Sequence, residues 1–267
     1  MSEKIGFIGL GSQGAPIAHR IADAGMDLTV WARRREVLEA YVEKGCTAAE
    51  GVSQLGTNCD HVGICVVNDA DVFAICDQLI PAMKPGSRIA VHSTILPESC
   101  IKLEQQCTER GIGLIDGPVS GGSPAAEAGV LTVMCGGSRE VFEACKPVFE
   151  TFGRMIVLLG SAGAGQKAKI INNALLSAHL GIATAALAVA DELGVDRAAL
   201  AELVKESSGR SFGFEVASRL PSPSAFAHGA TMLDKDIKLL KAILPQSPGA
   251  EALDAAATDF LAAALND

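Results

Sequence analysis

The sequence predicts an α/β fold: a doubly wound sheet followed by an all-helical domain, the two joined by a long interdomain helix. Three observations predict it. Short β-branched runs alternate with amphipathic stretches up to Gly160, strand signals nearly vanish after that point, and a run without formal charge spans Ile170 to Ala190. Strands that are apolar on both faces and separated by helices belong to a parallel sheet covered on both sides.

Taken in order, KIGFIGL (4–10) reads as the first strand and 14–25 as the helix after it. DLTVW (27–31) precedes a helix over 33–44, HVGICVV (61–67) one over 69–84, and RIAVH (88–92) one over 97–110. GIGLID (111–116), VLTVMCGG (130–137) and MIVLLG (155–160) complete the strand signals. Beyond them a long helix runs to about Leu193, a second opens at Asp196, and others occupy 232–244 and 249–265. GSAGAG at 160–165 and PSPS at 221–224 are the strongest breakers in this half. Domains are therefore expected over 1–161 and 162–267.

The chain has 267 residues, 49% of them hydrophobic, and a formal net charge of −9. That excludes intrinsic disorder, and the acidic balance argues against a broad nucleic-acid-binding surface. A mean hydropathy of +0.30 and the uncharged run at 170–190 raise the question of a membrane span. The run carries Asn172, Asn173, Ser177, His179 and Thr184 and is rich in Ala, so a buried helix is expected and no membrane. The start MSEKIGFIGLG has neither a basic region before a long apolar stretch nor a small-residue cleavage site, which points to the cytoplasm. All eight cysteines precede residue 150 without metal-ligand spacing, so they read as small buried side chains in a reducing compartment, with no metal site.

Gly9, Gly11 and Gly14 stand in GxGxxG spacing directly after a strand and at the start of a helix, the context of a Rossmann-type dinucleotide site. The first glycine permits the turn, the second lets backbone approach a pyrophosphate, and the third allows close helix packing; Leu10, Ser12 and Gln13 complete the loop. After DLTVW, where an NAD site usually offers a carboxylate, this chain reads Trp31-Ala32-Arg33-Arg34-Arg35. A guanidinium there holds the 2′-phosphate of NADP, so Arg33 favours NADP and leaves NAD as the alternative; a solvated helix start is the competing reading. Val67-Asn68-Asp69 and Ser93-Thr94 end two further strands, where helix cap and ligand contact weigh equally. The segment 116–124 is too polar and glycine-rich for an element interior. Its Ser120-Gly121-Gly122 turn suits a carboxylate, although a plain loop fits the spacing as well. Lys169 and Asn173 lie four apart and share a helix face. There the lysine either snorkels to the surface or serves a substrate oxygen as general acid. In the helical half Ser207, Ser208, Arg210 and Phe226 read as loop, and Phe212 and Phe214 as core or pocket.

Together these segments resemble the β-hydroxyacid dehydrogenase family, which includes 3-hydroxyisobutyrate dehydrogenases and tartronate-semialdehyde and glyoxylate/succinic-semialdehyde reductases. The resemblance runs through GFIGLGSQGAPIA, HSTILP, DGPVSGGSPAAEAG, GAGQKAKIINN and LDKDIKLL. It implies Lys169 as catalytic lysine, Asn173 as its partner, and Ser120, Gly121 and Gly122 as the loop for a small carboxylate-bearing substrate. It also implies Thr94 at the nicotinamide ribose, and Lys235 and Asp236 as the pair at the nicotinamide end. Hydride transfer between NADP or NAD and a small β-hydroxy acid or its semialdehyde follows, in a homodimer or homotetramer. The alternatives are an imine or lactam-type reductase on the same scaffold and a non-catalytic NADP-binding sensor. The chain departs from the family pattern at Val67-Asn68-Asp69, at His92, where Asp often precedes Ser-Thr, and in its short C-terminus.

Overall fold

A computed structural model describes residues 3–265, and the chain divides into two compact units, Met1–Lys169 and Ile170–Asp267. The first unit opens with β1 (Lys4–Ile8), α1 (Gly14–Asp23) and β2 (Asp27–Trp31). A 3-10 turn over Arg35–Leu38 leads into α2 (Glu39–Glu43), β3 (Thr47–Ala48) and α3 (Val52–Asn58). Next come β4 (His61–Ile64), α4 (Asp69–Leu79), β5 (Arg88–Val91), α5 (Pro97–Thr108) and β6 (Gly113–Asp116). The unit continues through β7 (Val119–Ser120), α6 (Gly122–Glu127), β8 (Leu131–Gly137), α7 (Arg139–Phe149) and β9 (Gly153–Leu158). Helix α8 (Ala164–Glu192) begins in the first unit and continues in the second, which adds α9 (Arg197–Lys205), α10 (Phe212–Ala217), a 3-10 turn over Pro223–Phe226, α11 (Ala227–Ile243) and α12 (Pro248–Leu265).

Strands β3-β2-β1-β4-β5-β6 lie side by side and all pair in parallel, so the chain reverses its direction of growth between β1 and β4. That switch point is where open α/β sheets bind ligands at their carboxyl edge. Beyond β6 the sheet is mixed: β8 runs antiparallel to β6 and β7, and β9 pairs parallel with β8. One face of the sheet packs Ile17, Ile21, Tyr41 and Phe149 into a core, and the other packs Leu55, Ile75, Leu79 and Leu103. In the second unit α8 contributes Ile170, Ala174, Leu180, Ala183 and Leu187 to a core closed by Phe214, Leu240 and Phe260.

Several boundaries differ from those read in the sequence. The 33–44 helix is a 3-10 turn followed by the short α2, because Arg34 is extended and lends the turn no side-chain cap. Helix α4 stops at Leu79, two residues before Pro81, not at 84. The segment 116–124, read as lacking element interiors, contains β7 and the start of α6, because Val119 and Ser120 pair with Val133 and Thr132. Helices α3, α7 and α10 are not among the expected elements, although Val141, Phe142, Cys145, Val148 and Phe149 recur at helical spacing in α7, and Ser138 and Ser211 cap α7 and α10 through the amides of Val141 and Phe214. Phe214 is core, Phe212 is 65% exposed, and Phe226 is no loop residue, because it lies in a 3-10 turn against the Phe260 ring. The eight cysteines are free thiols, six of them buried.

Two histidines sit in the core of the first unit. His92 Nδ1 donates to the Gly117 carbonyl at 2.7 Å and its ring stacks near Phe7, whereas neither ring nitrogen of His61 has a partner. Burial pushes the imidazoles down to about 3 for His61 and about 4 for His92. A neutral imidazole still carries one N–H, and leaving it unpaired costs about 1–3 kcal/mol. His61→Leu is therefore expected to stabilise the chain by roughly 1 kcal/mol at pH 7. Because the folded value lies below the unfolded one, the stability of the parent is complete above pH 6.5 and falls on acidification. The advantage of the variant should then grow by about 1.4 kcal/mol per pH unit between pH 6 and 4. Urea titrations at pH 7 and 5 measure this, and an advantage that does not change with pH would refute it.

Candidate active site

The glycine-rich loop follows from steric necessity. Gly9 has φ +97°, and a Cβ there would lie 2.1 Å from the carbonyl oxygen of Cys65. A Cβ on Gly14 would lie 1.9 Å from the carbonyl oxygen of Gly9. Gly11 has no heavy atom within 4 Å of its Cβ position, so its backbone is open to a ligand. Gln13 precedes α1 without a side-chain cap; the Ala15 amide donates to the Gly11 carbonyl at 2.9 Å and Pro16 has no N–H, so the Gly14 amide is the one in this first turn that can serve an anion. These features fit a dinucleotide pyrophosphate. Leu10 belongs to the core and has only its backbone to offer, while Ser12 is exposed.

The next strand ends bring the other nominated residues of this unit to the same edge. Arg33 follows β2, is 75% exposed, and lies 3.4 Å from Asp71 on α4. No sequence signal marks that pairing, since the two residues come from different strand ends. Asn68 Oδ1 accepts from the Asp71 amide at 2.9 Å, so Asn68 caps α4, and Val67 is exposed beside it. Asp69 ties this helix to α5 by accepting from the Leu96 amide at 3.0 Å and the Ser99 hydroxyl at 2.6 Å.

Thr94 is held from both sides. Gln166 Nε2 donates to the Ser93 carbonyl at 2.8 Å, and Gln166 Oε1 accepts from the Ile95 amide at 3.1 Å. The Ser93 hydroxyl in turn accepts from the Val66 amide at 2.8 Å. Gln166 itself is anchored by Asp116, the last residue of β6, whose Oδ2 accepts its amide at 3.0 Å while Oδ1 accepts that of Gly163 at 2.7 Å. Burial pushes the Asp116 carboxyl up to about 6, against the backbone amides that hold it down. Asp116 and Gln166 both stand inside motifs visible in the sequence, but nothing local assigned them a task. Lys169, half-buried, lies three residues beyond Gln166 on α8.

Ser120 leads into Gly121 (φ +132°) and Gly122 (φ +71°), two exposed glycines that open α6. The Ser123 hydroxyl donates to the Ser12 carbonyl at 2.8 Å, which fastens this turn to the glycine-rich loop.

The second unit carries its own polar cluster. Asn173 Nδ2 donates to Asp236 Oδ2 at 2.5 Å, Asn172 Nδ2 donates to Asn173 Oδ1 at 3.1 Å, and Lys235 Nζ pairs with Asp236 Oδ1 at 3.1 Å. Asn173 and Asp236 are both buried, so Asp236 orients the Asn173 amide. No cluster of three or more metal-ligating side chains occurs among the described residues.

Residues 4–160 match the NAD binding domain of 6-phosphogluconate dehydrogenase, and residues 163–267 match the NAD-binding domain of NADP-dependent 3-hydroxyisobutyrate dehydrogenase. An NAD-dependent L-serine dehydrogenase of Pseudomonas aeruginosa is 38% identical over 82% of this chain and 74% of its own. The mitochondrial 3-hydroxyisobutyrate dehydrogenase of Drosophila melanogaster is 32% identical over 91% and 78%. In fold, the 3-hydroxyisobutyrate dehydrogenase of Mycobacterium tuberculosis superposes with a TM-score of 0.85 at 24% identity, covering 99% of this chain and 96% of that one. An NAD(P)-dependent dehydrogenase of small hydroxyacids, the chain belongs to the 3-hydroxyisobutyrate dehydrogenase-like β-hydroxyacid dehydrogenase family.

Proposed function

We propose that the chain is an NADP-preferring β-hydroxyacid dehydrogenase, with Lys169 as the acid and base at the substrate oxygen. The observation that supports this most strongly is Gln166, which ties the first turn of α8 to both sides of Thr94 and so anchors Lys169 near the carboxyl edge of the sheet. The nucleotide, when bound, gives or takes the hydride. Gly9 to Gly14, leading into α1, hold its pyrophosphate, with Thr94 and Lys235 as further contacts. Ser120, Gly121 and Gly122 hold the substrate carboxylate through amides and a hydroxyl. In oxidation Lys169 takes the hydroxyl proton as hydride leaves the carbon; in reduction it returns that proton to the carbonyl oxygen. Asn173, its amide fixed by Asp236, orients the reacting groups.

Lys169→Ala is expected to lower kcat about 100-fold with nucleotide affinity unchanged, as befits a lost general acid. Nucleotide-coupled assays with short hydroxyacids, L-serine and 3-hydroxyisobutyrate among them, measure it, and undiminished turnover refutes the assignment.

Cofactor choice turns on the Arg33–Asp71 pair. Arg33 attracts a 2′-phosphate, and the Asp71 carboxylate beside it opposes one, so the preference for NADP is graded. Arg33→Asp should remove the preference for NADPH. Asp71→Asn should strengthen it up to about fivefold, the range of one exposed charge pair. Ratios of kcat/KM for the two nucleotides decide, and a ratio unmoved by Arg33→Asp excludes the clamp.

For assembly, α8 leaves Ile171, Leu175, Ile182 and Val189 exposed, the last three at seven-residue intervals on one stripe. That spacing fits a helix packed along another, and supports a homodimer or homotetramer built on α8. Ile182 is 66% exposed, and Ile182→Glu is expected to yield a smaller species in light scattering with its helix content kept. A variant with the mass of the parent would refute this.

A further inference from the structure

Asp116 is fully buried, and its two oxygens take two of the amides that open α8. The chain has cleared space for this contact with glycines. A Cβ on Gly136 would stand 2.7 Å from Asp116 Oδ1, and one on Gly165 would stand 2.7 Å from Oδ2 and 2.1 Å from the Met134 carbonyl oxygen. Any side chain at either position would lift the helix from the carboxylate.

We propose that Asp116 is a positioning residue for the reaction: as an anion it seats the first turn of α8 on the sheet edge, and so places Lys169 directly and Thr94 through Gln166. The proposal rests on the reading of Lys169 as the acid and base at the substrate oxygen. Two N–H donors need two free acceptor oxygens, and a protonated carboxyl turns one of them into a competing donor. Among the described residues the thiols of Cys100 on α5 and Cys135 on β8 face Asp116, both pushed up by burial and therefore neutral through the acid range. The carboxyl of Asp116, raised to about 6, is thus the group that changes charge at this contact.

The sign separates positioning from mere stability. With its folded value above the unfolded one, Asp116 contributes stability that is complete below about pH 4 and lost as pH rises through 6. Its protonation does not unfold the chain, so a loss of turnover that follows the titration of Asp116 is not unfolding driven by that group. Nor does it come from Lys169 in the reducing direction, since a proton donor works no worse at lower pH.

The test follows carbonyl reduction and the backbone together. In the parent chain kcat for reduction should fall with a midpoint near pH 6. The amide shifts of Gly163 and Gln166, read by NMR without nucleotide, should titrate with that midpoint. Asp116→Asn should lower kcat about tenfold, the weight of a charge-assisted hydrogen bond, abolish the acid limb, and change nucleotide Kd less than twofold. Amide shifts that stay constant from pH 5 to 7, or an acid limb that persists in Asp116→Asn, overturn the proposal. If the variant does not fold, the amides of the parent decide alone. The two readings fail separately: full turnover in Lys169→Ala removes the acid assignment, whereas silent amides remove that of Asp116 whatever Lys169 does.

Discussion

A buried carboxylate needs donors, and the start of a helix needs acceptors; the seating of Asp116 on the opening of α8 satisfies both at once. Much of the first unit is arranged around that contact. Gly136 and Gly165 lack side chains because carboxylate and helix meet there, and Gly163 (φ +86°) turns the chain into the helix close against Pro97. Gln166 then carries the constraint to Ser93 and Ile95, and Ser93 carries it to Val66. The ends of β4, β5 and β6 are thereby linked to one helix by polar bonds in a part of the molecule with little water to replace them. Separating them would strand several donors and acceptors at once, and such a network fixes geometry more firmly than the apolar packing beneath it.

The glycine-rich loop is held by a different constraint. Its outer glycines are required by backbone atoms only 1.9 and 2.1 Å from where a Cβ would sit, whereas Gly11 faces open space. The first two contacts shape the loop, and the third position leaves room for a ligand. The Ser123–Ser12 hydrogen bond adds a direct link from this loop to the Ser120–Gly122 turn, so that displacement of one turn is felt by the other.

What could be read in the sequence was what is local. The βαβ rhythm, the GxGxxG spacing and the i,i+4 pair on α8 each declare themselves within a few residues, and strands and helices formed where period and turn chemistry agreed. The helix expected over 33–44 failed where three arginines offered no cap, and the 116–124 segment gained its strand only by pairing with β8, a partner a local reading does not see. The same holds for the candidate site. Asn68 left cap and ligand contact in balance, and the structure gives its Oδ1 to the cap while its amide nitrogen keeps donors to offer. Asp71 beside Arg33, Asp116 beneath Gly163 and Asp236 beside Asn173 are all pairings across tens of residues, and each changes the meaning of a residue that the sequence had already singled out.

These non-local contacts also set how the first unit responds to acid. Around pH 5 the unfolded chain carries protons on both His61 and His92, whose folded values of about 3 and 4 keep them neutral. In the same range the folded chain binds a proton at Asp116 that the unfolded chain does not. Two protons favour unfolding and one favours folding, so these three groups together cost about 1.4 kcal/mol per pH unit on acidification, half of what the histidines alone would impose. Asp116 thus offsets part of the acid sensitivity of the buried imidazoles while losing the charge that seats α8. On this account the first unit stays folded over a range in which the opening of α8 is already less well placed, and activity should give way to acid before the fold does.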